Sequence, residues 1–140
     1  MFSKSCKYGI RAVLYLAVNT KNGEKIGVTE IAEQLNVPKH FLAKILRELS
    51  RQELISSTKG PNGGFFLNEE NLKEPLLKII ESIDGPQVLN SCILGLPVCS
   101  SINPCPLHAK AKKYRDGLLE LVSEQSIEVL AQSIALENLK

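Results

Sequence analysis

A chain of 140 residues with 44% hydrophobic content has material for one modest core and a short appendage, which excludes a large enzyme fold. The formal net charge of +2 is too small to mark a nucleic-acid binder through bulk composition, so any basic surface must come from local clustering. The N-terminal MFSKSCKYGI has no uninterrupted apolar region, and no run approaches the roughly 18 apolar residues of a membrane span, so a soluble cytoplasmic protein without membrane association is expected.

Ile10, Val13, Leu14 and Ala17 fall at i, i+3, i+4, i+7 and predict a first helix with one buried stripe, ended by Asn22-Gly23. Thr29 is the expected N-cap of a short second helix, with Glu30 favoured in its first turn by the helix dipole and Ile31, Ala32 and Leu35 turned inward. Asn36 makes the turn into a third helix that begins near Pro38 and carries Phe41, Leu42, Ile45, Leu46 and Leu49 toward the core. Two short helices a few residues apart suggest a helix-turn-helix.

The outward face of the third helix presents His40, Ala43, Lys44 and Arg47 at i, i+3, i+4, i+7, with Lys39 beside them at the N-terminal end. A recognition helix needs this arrangement, since its first residues reach base edges while cations neutralise phosphates. An ordinary solvated helix face shows the same charge, so the next segment decides between the two. After Leu54-Ile55, the run SSTKGPNGGFFL reads as a strand into Thr58, a tight turn, and a return strand from Phe65 to Leu67. That ribbon is a candidate wing. Gly60, Gly63 and Gly64 permit positive φ and close approach to a partner, and Lys59 at the tip is a candidate groove or phosphate contact. The candidate DNA-contacting set is therefore Thr29, Lys39, His40, Ala43, Lys44, Arg47 and the wing residues Lys59, Gly60, Pro61, Asn62, Gly63 and Gly64.

Pro75 opens a helix with Leu76, Ile79, Ile80 and Ile83 on one stripe, and Asp84-Gly85-Pro86 stops it. Residues 87–104 lack periodicity but hold Cys92 and Cys99 and lead into Cys105; a loop of this length is functional or disordered. Leu107, Ala111, Tyr114, Leu118 and Leu121 then repeat at near-heptad spacing, which suits intramolecular packing or a dimer seam, with Gly117 weakening the middle of the helix. Ser126 caps a last segment, IEVLAQSIAL, expected to fold back on a partner chain. The fold class is mainly α with a small β-wing. Residues 1–86 form a winged helix-turn-helix DNA-binding domain, 87–104 a cysteine-containing loop, and 105–140 a dimerisation helix with its C-terminal segment.

Cys92-x6-Cys99-x5-Cys105, with His108 three residues further on, is a candidate metal-ligand set of three thiolates and an imidazole, suited to an iron-sulfur cluster or zinc. Tight Cys-x2-Cys knuckles, which structural zinc sites generally use, are missing. A histidine ligand is protonatable and raises a cluster's potential, making it responsive. Cys6 reads as a small buried hydrophobe. No Ser-His-Asp set, phosphate loop or paired catalytic carboxylates is present, and Cys-x-x-Cys is missing, so the chain is not expected to be an enzyme.

EIAEQLNVPKHFLAKILREL followed by LISSTKGPNGGFFL resembles the Rrf2 family of bacterial winged-helix repressors. The resemblance starts at SCKYGIRAVLYLA and continues through the three-cysteine segment, with KGPNGG as its most specific mark. It implies a homodimer on double-stranded DNA, with the third helix in the major groove, the wing in the neighbouring minor groove, and a pseudo-palindromic operator whose half-sites lie about 34 Å apart. The family's wing usually opens with Arg. Lys59 keeps the charge and loses the planar fork, which implies a relaxed base preference in a narrow groove. The three-cysteine segment is similar to that of the iron-sulfur cluster regulator branch, in which three cysteines and a following His hold a 2Fe-2S cluster; carried over, these are Cys92, Cys99, Cys105 and His108. That branch has five residues in the first gap where this chain has six, and relatives with other gaps hold 4Fe-4S clusters, so a 4Fe-4S cluster is the alternative. In the nitric-oxide branch a carboxylate from the partner's first helix completes the site, and Lys7 stands at the corresponding position here. The function implied is a repressor that senses iron-sulfur status, redox or nitric oxide, the alternative being a regulator of the same family controlled by a protein partner or thiol oxidation without a cluster.

Overall fold

Ser3 opens the first helix, α1 (Lys4–Asn19): its hydroxyl accepts the Cys6 N–H at 3.0 Å and so satisfies one of the amides that a helix start leaves unpaired. In this computed structural model, which describes residues 2–97 and 101–140, α1 buries Cys6, Gly9, Ala12, Val13, Leu14, Leu16 and Ala17, a wider surface than a single stripe. The helix ends three residues before Asn22, because the Thr20 hydroxyl bonds back to the Leu16 carbonyl at 2.6 Å.

The second helix, α2 (Val28–Leu35), buries Ile31, Ala32 and Leu35 as expected, but Thr29 is not its N-cap. Ile26 exchanges backbone hydrogen bonds with Phe65 at 3.0 and 2.8 Å, which keeps the chain extended up to Gly27, so helical geometry begins at Val28 and Thr29 lies exposed in the first turn. Asn36 adopts the left-handed conformation (φ 55°) and Pro38 caps α3 (Lys39–Arg51). Leu42, Ile45, Leu46 and Leu49 are buried, whereas Phe41 is 58% exposed, which corrects the expectation that it points inward. At 3.6 residues per turn it stands about 90° from the centre of that stripe, at the margin of the apolar face.

Strands β1 (Ser56–Thr58) and β2 (Gly64–Phe66) pair antiparallel with Ser56 opposite Phe66, Ser57 opposite Phe65 and Thr58 opposite Gly64. The turn between them closes through the Gly63 N–H and the Gly60 carbonyl at 2.9 Å, with Gly60 at φ 101°. Gly63 is not at positive φ; a Cβ there would lie 2.3 Å from the Thr58 carbonyl oxygen, so what this position requires is space.

Sequence periodicity does not reveal α4 (Glu69–Lys73), since five residues are too few to show a stripe. A reciprocal capping box between Asn68 and Asn71 starts it. Pro75 then caps α5 (Leu76–Asp84), which buries Ile79 and Ile80 and ends at Gly85. The irregular segment leads to α6 (His108–Glu124), with Ala111 and Val122 buried. The α6–α7 junction is tied to the α4–α5 junction by Leu76 N–H to Gln125 O and Ile127 N–H to Glu74 O, both 3.0 Å. Ser126 caps α7 (Ile127–Ser133) as expected. This helix and the 3-10 turn Leu136–Leu139 pack within the chain: Ile127, Ala131 and Leu139 enter the main core against α1.

The main core gathers α1, α2, α3, the wing base, α5 and α7. A smaller one joins Cys6 of α1, Ile80 of α5, Leu89 of the cysteine segment and Val122 of α6. Among the described residues no helix is long and apolar enough to cross a membrane.

Asn71 is 3% exposed; it accepts from the Ser56 hydroxyl at 2.7 Å and the Asn68 N–H at 3.0 Å and donates to the Glu53 carbonyl at 3.0 Å. Asn71→Ala strands those partners and should destabilise the fold by about 2 kcal/mol. Chemical denaturation checks this; an unchanged midpoint would show that water replaces the side chain.

Candidate DNA-reading surface and cysteine site

On α3 the basic face is open to solvent: Lys39, His40, Lys44 and Arg47 are exposed and Ala43 is half-buried. Phe41 stands exposed beside them, a residue that the apolar pattern assigned to the core. Arg51, one turn beyond Arg47, is engaged by Glu48, with Nε and Nη2 donating at 3.0 and 2.6 Å, and Gln52 adds a third bond at 2.7 Å. These contacts hold the Glu48 carboxyl down at about 2, so its charge is matched within the helix.

The wing tip presents Lys59, Gly60, Pro61 and Asn62 exposed, with Gly63 and Gly64 half-buried at the start of β2. Three contacts fix this hairpin to α3 and to the connection between α1 and α2. Ile26 pairs with Phe65, the Ser50 and Ser57 hydroxyls meet at 2.8 Å, and Lys25 places its ammonium 5.8 Å from the centre of the Phe66 ring. The wing and α3 therefore present their cations from one fixed frame. Thr29 is exposed at the start of α2. Lys25 and the Ser50–Ser57 contact carry no local sequence signal, because each depends on a strand meeting another segment in space, the α1–α2 connection for Lys25 and α3 for Ser50.

Cys92 lies in the segment after α5, where the Asn90 and Ser91 N–H groups both donate to the Gln87 carbonyl at 2.9 Å and the Gly95 N–H donates to the Cys92 carbonyl at 2.9 Å. Its sulfur is 3.9 Å from that of Cys105, and the His108 N–H donates to the Cys105 carbonyl at 3.0 Å, placing His108 at the first position of α6. Cys99 lies outside the described residues. Hydrogen bonds from the Leu96 and Leu94 backbone, together with Cys105 and the Arg115 charge, hold the Cys92 thiol below its ordinary range against the opposing effect of burial. Among the described residues no three His, Cys, Asp or Glu side chains converge as a metal-ligand group.

The pair itself fits a metal. Two thiolates on one tetrahedral ion, each bonded at about 2.3 Å, stand about 3.8 Å apart, whereas a disulfide brings sulfurs to about 2.05 Å. The 3.9 Å separation thus suits two ligands of one iron or zinc. Arg115 of α6 is half-buried and reaches this segment; its position seven residues after His108 is the one sequence clue to it.

A winged helix-turn-helix with a basic outer helix face defines a DNA-binding transcription regulator. The chain belongs to the Rrf2 family: the family model described as "Iron-dependent Transcriptional regulator" matches residues 2–133. It is similar to an HTH-type transcriptional regulator of Aquifex aeolicus, 33% identical over 132 residues that cover 93% of this chain and 90% of that protein. It is also similar to the HTH-type transcriptional regulator IscR of Photorhabdus laumondii, 24% identical over 127 residues, 91% of this chain and 76% of that protein. The structure of CymR, the global cysteine regulator of B. subtilis, shares the fold with a TM-score of 0.77 at 23% identity, covering 96% of this chain and 98% of that one.

Cys6 is fully buried, and burial, the Asp84 charge and a hydrogen bond with Asp84 push its thiol up to about 12. Iodoacetamide at pH 8 should label Cys92 and Cys105 at least roughly tenfold faster than Cys6 in the native protein, read by peptide mass mapping. Equal rates would place Cys6 in solvent. The unfolded chain ionises Cys6 near 9, so stability is unaffected below that pH and falls as pH rises from 9 toward about 12.

Proposed function

We propose that this protein is a homodimeric transcription repressor whose DNA affinity is governed by an iron-sulfur cluster held by Cys92, Cys99, Cys105 and His108. The observation that carries this reading is the 3.9 Å separation of the Cys92 and Cys105 sulfurs, with His108 one turn of chain beyond. Three thiolates and one imidazole favour a 2Fe-2S cluster over a 4Fe-4S one, and IscR among the relatives supports the same branch. When bound, such a cluster supplies one-electron chemistry and iron–thiolate bonds that oxidants or nitric oxide break.

The protein's own residues convert that ligation into a change at DNA. Leu89, three residues before Cys92, packs with Cys6 and Ile80, so a displacement of Cys92 is transmitted to α1 and α5, and both helices pack against α3. Lys39, His40, Ala43, Lys44 and Arg47 read the major groove, Lys59 to Gly64 enter the neighbouring minor groove, and Thr29 contacts the backbone at the start of α2. Leu107, Tyr114 and Leu121 recur every seven residues along α6 and are 47%, 78% and 56% exposed, an apolar seam that a second copy would cover.

Anaerobic reconstitution with ferrous iron and sulfide, followed by visible absorbance and iron and sulfide analysis, tests the cluster. The expected result is a coloured protein that Cys92→Ala and Cys105→Ala abolish; a colourless, iron-free wild type would overturn it. The sulfur pair also supports a reading without a cluster, in which an oxidant such as a peroxide takes two electrons and two protons from Cys92 and Cys105 to form a disulfide. A colourless protein whose DNA affinity changes with peroxide and recovers with dithiothreitol is its signature.

Lys44→Ala and Lys59→Ala should each weaken DNA binding across sequences and lower the slope of log affinity against log salt by about one unit. Unchanged slopes would remove those side chains from the interface.

A further inference from the structure

His108 and Arg115 lie seven residues apart on α6, two helical turns, and therefore on one side of that helix. The Arg115 guanidinium donates through Nη1 to the carbonyls of both Asn90 and Ser91, each at 2.8 Å. These are the two residues directly before Cys92. Their amides are already committed to the Gln87 carbonyl, so the turn is closed on one side by its own backbone and on the other by Arg115. Arg115 and His108 also line one cavity of about 300 Å³, together with Asn90 and Lys112. Lys112, the next cation on this side, is engaged by Asp116 at 2.6 Å. Arg115 is thus a cation that α6 commits to the Cys92 segment, and it does so with a rigid group whose donors lie in a plane, a geometry a lysine ammonium cannot copy.

We propose that Arg115 is the positioning and charge-compensating residue of the cysteine site: its guanidinium grips the backbone at residues 90 and 91 so that Cys92 stays opposite Cys105, and its positive charge favours the more negative, reduced form of the group those sulfurs hold. The charge role rests on the cluster reading above; the positioning role does not. A bare thiolate site accumulates negative charge as it gains an electron, and a fixed cation beside it offsets that charge, which raises the reduction potential. The grip acts beside the contacts the segment makes for itself, the Leu94 and Leu96 backbone on the Cys92 sulfur and the Gly95 N–H on the Cys92 carbonyl, and ties the two residues before Cys92 to α6, the helix that Cys105 leads into.

Full-length Arg115→Gln and Arg115→Lys proteins test both roles. In the cluster-free state, with Cys99→Ala to leave the pair alone, a bifunctional alkylator that fluoresces only when both its arms have reacted reports how often Cys92 and Cys105 stand together. Arg115→Gln should slow cross-linking roughly tenfold, the population shift expected on losing a charge-assisted hydrogen bond, and Arg115→Lys should slow it by less. A wild-type rate in Arg115→Gln overturns the positioning role. In reconstituted protein, a redox titration should show Arg115→Gln displaced tenfold toward the oxidised form, about 59 mV for a one-electron couple, with Arg115→Lys close to wild type. A potential unchanged in Arg115→Gln overturns the charge role. If the wild type takes up no iron, the cluster reading fails and the cross-linking rates still decide the positioning role. If Arg115→Gln does not fold, Arg115→Lys decides: slower cross-linking supports the grip, and wild-type cross-linking overturns it.

Discussion

Burial of α1 on several sides is the constraint that organises this protein. A helix with one apolar stripe needs one neighbour, whereas α1, with Ala12, Val13, Leu16 and Ala17 all essentially inaccessible, needs a shell. That shell consists of α2 and α3 from one part of the chain, α5 from another, and α7 with the 3-10 turn from the C-terminus. Arg11 pins two of these parts from the same helix, Nη2 donating to the Leu35 carbonyl at the helix-turn-helix corner at 2.6 Å and Nε to Leu139 at 2.5 Å. Each fully buried leucine or isoleucine in this shell contributes about 1.5–3 kcal/mol, enough to make the positions of α2 and α3 properties of α1 rather than of their own short sequences.

The wing is stabilised differently. Two strands of three residues cannot stand alone in water. Here β2 is paired on both edges, with β1 on one side and Ile26 on the other, and β1 is joined to α3 through Ser57 and Ser50 and to α4 through Ser56 and Asn71. These contacts fix the separation between α3 and the wing tip, adding to the apolar anchoring that Phe65 makes against the main core.

Helical periodicity in the sequence located α1, α2, α3, α5 and α6, because each has an apolar stripe of at least two turns. The wing was legible from its glycines and the flanking aromatic residues. What was hidden depended on contacts distant in sequence. The Ile26–Phe65 pair moved the start of α2 away from Thr29, and α7 satisfied α1 of its own chain although its pattern alone left the choice of chain open. Phe41 illustrates a different limit: binary patterning counts any aromatic as inward, although an aromatic at the edge of a stripe can equally stand in solvent beside the cations. The cysteine set was visible as composition and spacing, but its support from Arg115, and the place of Leu89 in the small core with Cys6, emerged only when α6 and α5 were side by side.

The contrast between the two halves bears on how a signal could move through the molecule. The N-terminal helices are fixed by many buried apolar contacts, whereas the described contacts of the segment after α5 include Leu89 and Val88 in the small core, the Arg115 grip on two carbonyls, and Asp84 at its root. Asp84 accepts both the Ser3 N–H, at 2.9 Å, and the Ser3 hydroxyl, so the residue that ends α5 also secures the start of α1. Whatever joins Cys92 to Cys105 closes a loop of 12 intervening residues, to which the exposed Ile93, Leu94, Leu96 and Ile102 bring little burial of their own. Because the loop is rooted on α5, whose Ile79 and Ile80 are buried in the two cores, a bond made at the sulfurs bears on a fold whose stability is supplied elsewhere.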